Sequence, residues 1–241
     1  MNALPKTLDD VLNELNAIVK NSMVQNHRGG LFAYVYYRTT LEIKRAIEAG
    51  EFENSQRMED FDVVFANLYL KAYYDYKAKQ PVSQAWQMAF VADQSKLSVL
   101  QHIMLGMNAH INLDLGIAAH DIMKGKDISK LKSDFIKVNE ILASLIAELQ
   151  ERLSRISPLL FLLDWLGHQK DEQIINFSMI KARQYAWHLA QDLSTFEGIH
   201  NKKRLKAADD LAAKLSKGII NPPGYIIPNI LRLIQFFESK D

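Results

Sequence analysis

Cysteine is absent from this chain of 241 residues. Its absence excludes disulfides, thiolate metal sites and cysteine nucleophiles, and it leaves the cellular compartment open. Helix breakers are also scarce, because the chain has only 10 glycines and 6 prolines. Between them run long segments whose apolar residues recur with helical periodicity, and no segment has the pattern of a convincing strand.

An uninterrupted apolar run of about 18 residues, the length that a membrane-spanning helix needs, is also missing. The N-terminal segment MNALPKTLDDVLNELNAIV lacks the apolar core of a secretory signal, because acidic residues interrupt it early. We therefore expect a soluble cytoplasmic protein with no membrane span.

Neither sign of charge dominates, because 29 Lys and Arg residues and 28 Asp and Glu residues leave a net charge of +1. Without a broad basic surface, no nucleic-acid partner is expected. The chain also lacks GxGxxG after a strand, GxxxxGKS/T, GxSxG and HExxH. Their absence argues against nucleotide-binding and hydrolase folds of those types.

The composition that remains is typical of a globular protein, with 48% hydrophobic and 24% charged residues. No low-complexity linker divides the chain, so we predict one domain over residues 1–241. The predicted fold is all-α, a bundle of about nine helices around a buried central helix at about 97–122. Helices are expected to start near Thr7, Leu31, Asn54 or Ser55, Ser83, Asp93 or Ser95, Ser133, Pro158, Asp171, Asn201 and Asn229. The proline-rich segment 221–228 is expected to be a rigid extended connector.

The central segment LSVLQHIMLGMNAHINLDLGIAA, residues 97–119, is apolar on nearly every side, which is typical of a buried helix. It nevertheless carries five polar residues, namely His102, Asn108, His110, Asn112 and Asp114. An unpaired polar group in a protein interior costs roughly 1–3 kcal/mol. The helix therefore either builds a site or holds a polar lock in the core.

Helical geometry divides these residues into pairs. His110 and Asp114 are i, i+4 and lie about 40° apart, so they could hold one ion or hydrogen-bond each other. Asn108 and Asn112 form a second such pair, about 160° away from His110. Gly106 precedes His110 by one turn and would let a backbone or a ligand approach the imidazole. His102 is about 12 Å along the axis from His110, so it belongs to a second site or to none.

One hypothesis is a metal site at His110 and Asp114. Imidazole and carboxylate suit a divalent Zn, Fe or Mn ion, and an enzyme of this kind would catalyse metal-assisted hydrolysis or oxidation. Asp62, Asp134 or His188 could complete the ligands, because each is on a mostly apolar helix face. The alternative, which the weak HxxxD pattern favours, is a buried His–Asp hydrogen bond. Enzymatic activity is left open.

Two arginines join Asn108 and Asn112 as candidate binding residues. Arg38 follows an aromatic run and could clamp a carboxylate or phosphate. The alternative, which we favour, is an inter-helix ion pair with Asp62 or Asp114. Arg183 precedes Trp187 by four residues, which favours an arginine packed on the indole at a helix surface.

The segment GMNAHINLDLGIAA resembles a family of uncharacterised bacterial proteins, a domain of unknown function with a GxNAHIxxDL core. The resemblance extends to FAYVYYRTT, FDVVFANLYLKAY, QPVSQAWQMAF and ARQYAWHLA, and so covers most of the chain. It implies an all-helical single domain and brings no activity with it. A fainter similarity to the zinc-dependent phospholipase C and P1-nuclease group is limited to the single pair His110 and Asp114.

The functional hypothesis is a small-molecule enzyme or binding protein with an interior site at His110 and Asp114. The alternative is a non-catalytic helical scaffold or interaction protein in which these two residues, Asn108 and Asn112 form a buried polar lock. An interaction module would instead expose an apolar groove. A homo-oligomer remains open.

Overall fold

The computed structural model describes residues 4–25, 27–92, 97–142, 145, 179–224 and 226–238. Throughout these ranges the regular structure is helical and no strand occurs, which confirms the all-α bundle. The α-helices are α1 (Leu8–Val24), α2 (Gly30–Glu48), α3 (Ser55–Lys77), α4 (Gln84–Ala92), α5 (Val99–Ala109), α6 (Leu115–Ile122), α7 (132–142), α8 (Met179–Thr195), α9 (Ile199–Ile220) and α10 (Ile226–Glu238). None of the described helices has the length and hydropathy needed to cross a membrane.

Local capping interactions decide where several helices begin. Thr7 accepts a hydrogen bond from the Asp10 backbone N–H at 3.2 Å, and the Asp10 carboxylate accepts one from the Thr7 N–H. At α3, the Asn54 side chain accepts from the Arg57 N–H at 2.9 Å. Both caps agree with the predicted helix starts. Each of these side chains satisfies a backbone N–H that has no partner within the helix, which is why such residues begin helices.

Two predicted boundaries are wrong. The central helix begins after Ser98, not at Asp93 or Ser95, because Ser98 and Gln101 form a capping box there. The connector expected at 221–228 is shorter, since α10 already begins at Ile226 and includes Pro228 in its first turn. A proline is tolerated there because its missing N–H has no partner in a first turn. The helix expected at 158–166 and the start of the one expected at 171–196 lie outside the described residues.

A continuous central helix forms from α5, a π-helical turn at His110–Asp114 and α6. It packs against α2, α3, α4, α8 and α9, and its buried residues therefore lie on all sides. In the π turn, the Leu115 N–H bonds to the His110 carbonyl, five residues earlier. Such turns occur frequently at functional sites, and this one coincides with the polar residues singled out by sequence.

Candidate ligand-binding site

His110 and Asp114 form a buried hydrogen-bonded pair. Their exposed fractions are 2% and 4%, and His110 Nδ1 lies 2.9 Å from Asp114 Oδ2. Trp86 on α4 donates its indole N–H to the same oxygen, also at 2.9 Å. Trp86 is thus the second partner of Asp114, a contact that the sequence analysis did not predict.

Burial acts in opposite directions on the two groups of this pair. It lowers the pKa of His110 and raises the pKa of Asp114, while the hydrogen bond between them opposes both shifts. A carboxylate at Asp114 accepts one hydrogen bond from the Trp86 indole N–H and one from the N–H at His110 Nδ1. The imidazole is then neutral, and its Nε2 atom carries a lone pair that can accept a hydrogen bond.

Aromatic rings fix the orientation of this imidazole. The His110 ring is stacked on Phe65, with ring centroids 3.6 Å apart and planes inclined by 4°. Tyr36 contacts it edge-on at 4.6 Å, and Phe32 does so at 5.7 Å. Nε2 is buried and has no hydrogen-bond partner among the described residues. The imidazole is therefore held rigidly with one polar atom unsatisfied.

His110 lines an interior cavity of about 210 Å³, which we call the inner cavity. It lies between α2, α3, the central helix, α7 and α8, and most of its wall is apolar. The wall includes Val35, Ile43, Met58, Phe61, Phe65, Ile103, Met107, Ile111, Leu115 and Val138. For comparison, an apolar cavity of roughly 150 Å³ can hold benzene. The inner cavity therefore has room for a molecule somewhat larger than one aromatic ring.

Four polar side chains interrupt this apolar wall: Tyr36, Asp62, His110 and Arg183. By hydrogen-bond geometry each has a buried polar atom without a partner in the described part of the chain, namely the Tyr36 hydroxyl, Asp62 Oδ2, His110 Nε2 and Arg183 Nε. The Tyr36 hydroxyl also interacts with Thr40 on the same helix, but the geometry of that contact is too poor for a hydrogen bond. An unsatisfied buried polar atom costs roughly 1–3 kcal/mol. Their convergence on one cavity is the feature that most distinguishes this region from ordinary core.

Asp62 and Arg183 are the charged members of this wall, with exposed fractions of 3% and 5%. Burial raises the pKa of Asp62 to about 7, although the Arg183 charge opposes the shift. Arg183 donates to the Phe135 carbonyl at 2.5 Å and lies over the Phe135 ring at 4.4 Å. The expectation that Arg183 packs on Trp187 at a helix surface is therefore wrong, because α8 turns this side chain into the core.

On the opposite side of the central helix, Asn108 and Asn112 form a polar lock against α9. Asn108 Nδ2 donates to the Ala212 carbonyl at 2.7 Å and to the Ser216 hydroxyl at 2.9 Å. Asn112 Nδ2 donates to Asn108 Oδ1 at 3.0 Å. Both asparagines are buried and bond to protein groups. As candidate binding residues they lie away from the inner cavity.

Arg38 forms an ion pair on its own helix, with Arg38 Nη2 and Glu42 Oε1 3.6 Å apart. The expected partners were Asp62 and Asp114, but Asp62 faces Arg183 and Asp114 bonds to His110 and Trp86. Glu42 follows Arg38 by four residues, so this pair was visible in the sequence and was missed.

Of the three proposed additional metal ligands, Asp62 lines the inner cavity together with His110, whereas Asp134 and His188 lie elsewhere. Asp134 accepts from the Glu53 N–H at 2.7 Å and pairs with Arg57 at 2.5 Å, which ties α7 to the start of α3. His188 is exposed on α8. Within the described ranges, no three His, Asp or Glu side chains are grouped so that they could hold an ion. Metal binding stays a prediction.

The close approach predicted at Gly106 is made by a side chain. A Cβ atom at Gly106 would lie 2.4 Å from Phe32 Cγ, so only glycine leaves room for this ring. The sequence analysis did not predict that Phe65, one of the aromatic residues spaced i, i+4 on α3 with Phe61 and Tyr69, contacts His110. Their i, i+4 spacing showed a shared helix face but not which residue that face meets.

Residues 8–222 match the model of a protein family described as "Family of unknown function (DUF5995)". This range contains every residue that lines the inner cavity. Comparisons with curated proteins and with solved structures give no match.

Proposed function

The chain belongs to the DUF5995 family of unknown function, and we propose that it binds a small, largely apolar molecule with one hydrogen-bonding group in the inner cavity. The observation that carries this proposal is the convergence of four unsatisfied polar side chains on one apolar cavity. Ligand sites are typically apolar pockets in which a few polar groups fix the orientation of the ligand.

The chemistry of the wall suggests which group the ligand presents. His110 Nε2 is an acceptor when Nδ1 donates to Asp114, so it would accept a hydrogen bond from a ligand hydroxyl or N–H. The Tyr36 hydroxyl lies in the same wall and could donate to a ligand oxygen. A hydroxyl group suits both partners, since it donates and accepts. Phenol, one ring with one hydroxyl, is therefore an appropriate probe molecule.

A scaffold with a purely structural polar lock accounts for the Asn108 side of the central helix but not for the His110 side. A lock lowers the free energy by satisfying its polar atoms, as Asn108 does with Ala212 and Ser216. His110 Nε2 and Asp62 Oδ2 are instead left without partners beside an open volume. Their desolvation cost is offset when a ligand supplies the missing hydrogen bonds.

The test is a comparison of phenol and toluene by isothermal titration calorimetry. The two rings differ in whether they carry a hydroxyl, so the ratio of their affinities measures the polar contact. We expect wild-type protein to bind phenol more tightly than toluene by about tenfold, the effect of roughly 1.4 kcal/mol. In His110→Phe, which keeps an aromatic ring on Phe65, this preference should disappear.

Trp86→Phe is the matched control. It removes the other hydrogen bond to Asp114 without altering His110 Nε2, so the preference for phenol should persist. If wild type binds neither compound, the binding proposal is wrong. If both variants lose the preference equally, the effect comes from disturbing Asp114, and the role given to Nε2 is wrong.

Acid–base catalysis is a second candidate, favoured because Asp62, with a pKa raised to about 7, and a neutral His110 line the same cavity. Acid and base residues in enzymes are often groups whose environments push their pKa values in different directions. We infer that a protonated Asp62 and the Tyr36 hydroxyl would polarise a carbonyl oxygen while His110 Nε2 takes a proton from the adjacent carbon. The imidazolium would exchange this proton with solvent, and the enolate would then regain a proton from the imidazolium.

This step is testable without knowing the natural substrate. Cyclohexanone in D₂O should exchange its α-protons faster with wild-type protein than with His110→Phe, as measured by NMR. Exchange that is equal in the two proteins would exclude His110 as the base.

The hypotheses of a metal at His110 and of a cytoplasmic location also remain proposals. For the metal, the test is the metal content of untagged protein purified without chelator. Near-stoichiometric Zn, Fe or Mn that is lost in His110→Phe would support it, and its absence after reconstitution would contradict it.

A further inference from the structure

Phe32 also lines a second, smaller cavity of about 90 Å³, which we call the outer cavity. Aromatic side chains from α3 and α4 form much of its wall, including Tyr69, Tyr73 and Phe90. Ala89 on α4 also lines it and is only partly buried. At this volume the outer cavity is too small for a six-membered ring, given that a benzene-sized cavity is roughly 150 Å³.

Phe32 contributes to the walls of both cavities. Phe32 is the only residue that lines both of them within the described part of the chain. It contacts Tyr69 of the outer wall edge-on at 5.0 Å and Tyr36 of the inner wall at 5.8 Å. With an exposed fraction of 8%, it is buried and is not a surface residue.

Two features of the chain describe the surroundings of Phe32. The ring occupies the recess above Gly106, where a Cβ atom would meet Phe32 Cγ at 2.4 Å. Phe32 is the third residue of α2, so its backbone is in the first turn, where helices fray most readily. Phe32 is thus a buried side chain near a helix end.

We propose that Phe32 determines the size of the ligand by dividing one continuous recess into two cavities. This inference rests on the proposed function of the inner cavity. With Phe32 in place, the site admits a single ring bearing a hydroxyl and excludes a second ring in line with the first. Removing the Phe32 ring joins the cavities and admits a two-ring ligand of the same chemistry.

The test compares phenol with 4-phenylphenol, which adds one ring to the same hydroxyl-bearing ring. Wild type should bind phenol and discriminate against 4-phenylphenol. Phe32→Ala should improve the affinity for 4-phenylphenol relative to phenol by about tenfold or more, the scale on which hydrophobic pockets discriminate by size. Phe32→Leu, a smaller change, should shift the ratio in the same direction and covers the case in which Phe32→Ala does not fold.

Phe61→Ala is the matched control for volume. Phe61 has an exposed fraction of 3% and lines the inner cavity without lining the outer one, so this change removes the same side chain without joining the two cavities. It should leave the ratio between the two affinities much closer to the wild-type value. An equal gain in Phe61→Ala would overturn the proposal, because added volume alone would then explain it.

Ala89→Leu in the Phe32→Ala background tests the role of the outer cavity. The added side chain extends into that cavity, so it should abolish the gain for 4-phenylphenol and leave phenol binding intact. If the gain survives, the second ring does not lie there and the proposal is wrong.

If wild type binds phenol but Phe32→Ala brings no gain, this inference fails while the proposed function stands. If wild type binds neither phenol nor toluene, both fail.

Discussion

Two faces of the central helix carry polar pairs with the same i, i+4 spacing, and they differ in what their side chains meet. Asn108 and Asn112 face α9, where a backbone carbonyl and the Ser216 hydroxyl accept their hydrogen bonds. His110 and Asp114 face aromatic side chains, and His110 lines the inner cavity with its Nε2 unpaired among the described residues. The difference shows that the same spacing on one helix can give a fully paired polar cluster on one face and leave an unpaired acceptor on the other.

The largest expected effect concerns the pH dependence of stability on the cavity face. The pKa of Asp62 is raised to about 7 by burial, so between its unfolded-state pKa and pH 7 the folded protein holds a proton that the unfolded chain has lost. Stability from this group therefore falls as the pH rises through that window. Asp62→Asn, which stays neutral, should gain stability over wild type, by an amount that approaches about 4 kcal/mol above pH 7.

Urea unfolding of both proteins at several values between about pH 4 and pH 8 measures this difference. The pH dependence of other groups, such as His102 with its pKa lowered to about 4, is common to both proteins and cancels. Parallel curves for the two proteins would show that Asp62 has an ordinary pKa.

The next-largest effect is expected on the face of the central helix that packs against α9. Asn108→Ala removes a fully buried side chain and leaves the Ala212 carbonyl and the Asn112 amide without their partners. We expect a loss of about 2–3 kcal/mol in the free energy of unfolding. Ser216→Ala, which removes only one of these bonds, should cost about 1 kcal/mol. Phenol affinity should be unchanged in both, and a loss in either would contradict the separation of the two faces.

A smaller effect on stability is expected when either hydrogen bond to Asp114 is removed. His110→Phe and Trp86→Phe each remove one of the two hydrogen bonds to Asp114. Trp86→Phe should therefore destabilise the protein by about 1–2 kcal/mol in urea unfolding, and His110→Phe by no more than this, because it also removes the unsatisfied Nε2. A loss of stability several times larger in His110→Phe alone would mean that Nε2 has a partner within the protein. His110 would then be a structural residue whose hydrogen bonds are completed by the fold, as those of Asn108 are.

The smallest effect is expected at His188, which was a candidate metal ligand. Because this residue is exposed, His188→Ala should change the free energy of unfolding by less than about 0.5 kcal/mol. It should also leave the metal content of the purified protein unchanged, as measured by mass spectrometry. A metal content that falls in this variant would show that His188 is a ligand after all.

Much of the secondary structure could be predicted because its signals are local. Thr7 with Asp10, and Asn54 with the Arg57 N–H, are capping contacts within one turn of chain. The hydrogen bond between His110 and Asp114 follows from helical spacing in the same way. Prediction was weaker where several local signals competed, as at the start of the central helix, where Ser98 prevailed over Asp93 and Ser95.

The partners of the candidate site could not be predicted, because they come from segments distant in sequence. Trp86 is 28 residues from Asp114, and Arg183 is 48 residues from the Phe135 carbonyl that it contacts. Helical periodicity gives the face of a residue but not the neighbour that this face meets. For this reason Arg183 was expected at a surface and lies in the core.

The sequence by itself determined that this protein is an all-helical bundle and that its central helix carries two polar pairs on opposite faces, because both follow from spacing along one helix. Only the tertiary structure decided that Asn108 is satisfied by α9 while His110 lines a cavity with Nε2 unsatisfied. That distinction depends on which helices pack against each face, and packing is a property of the whole chain.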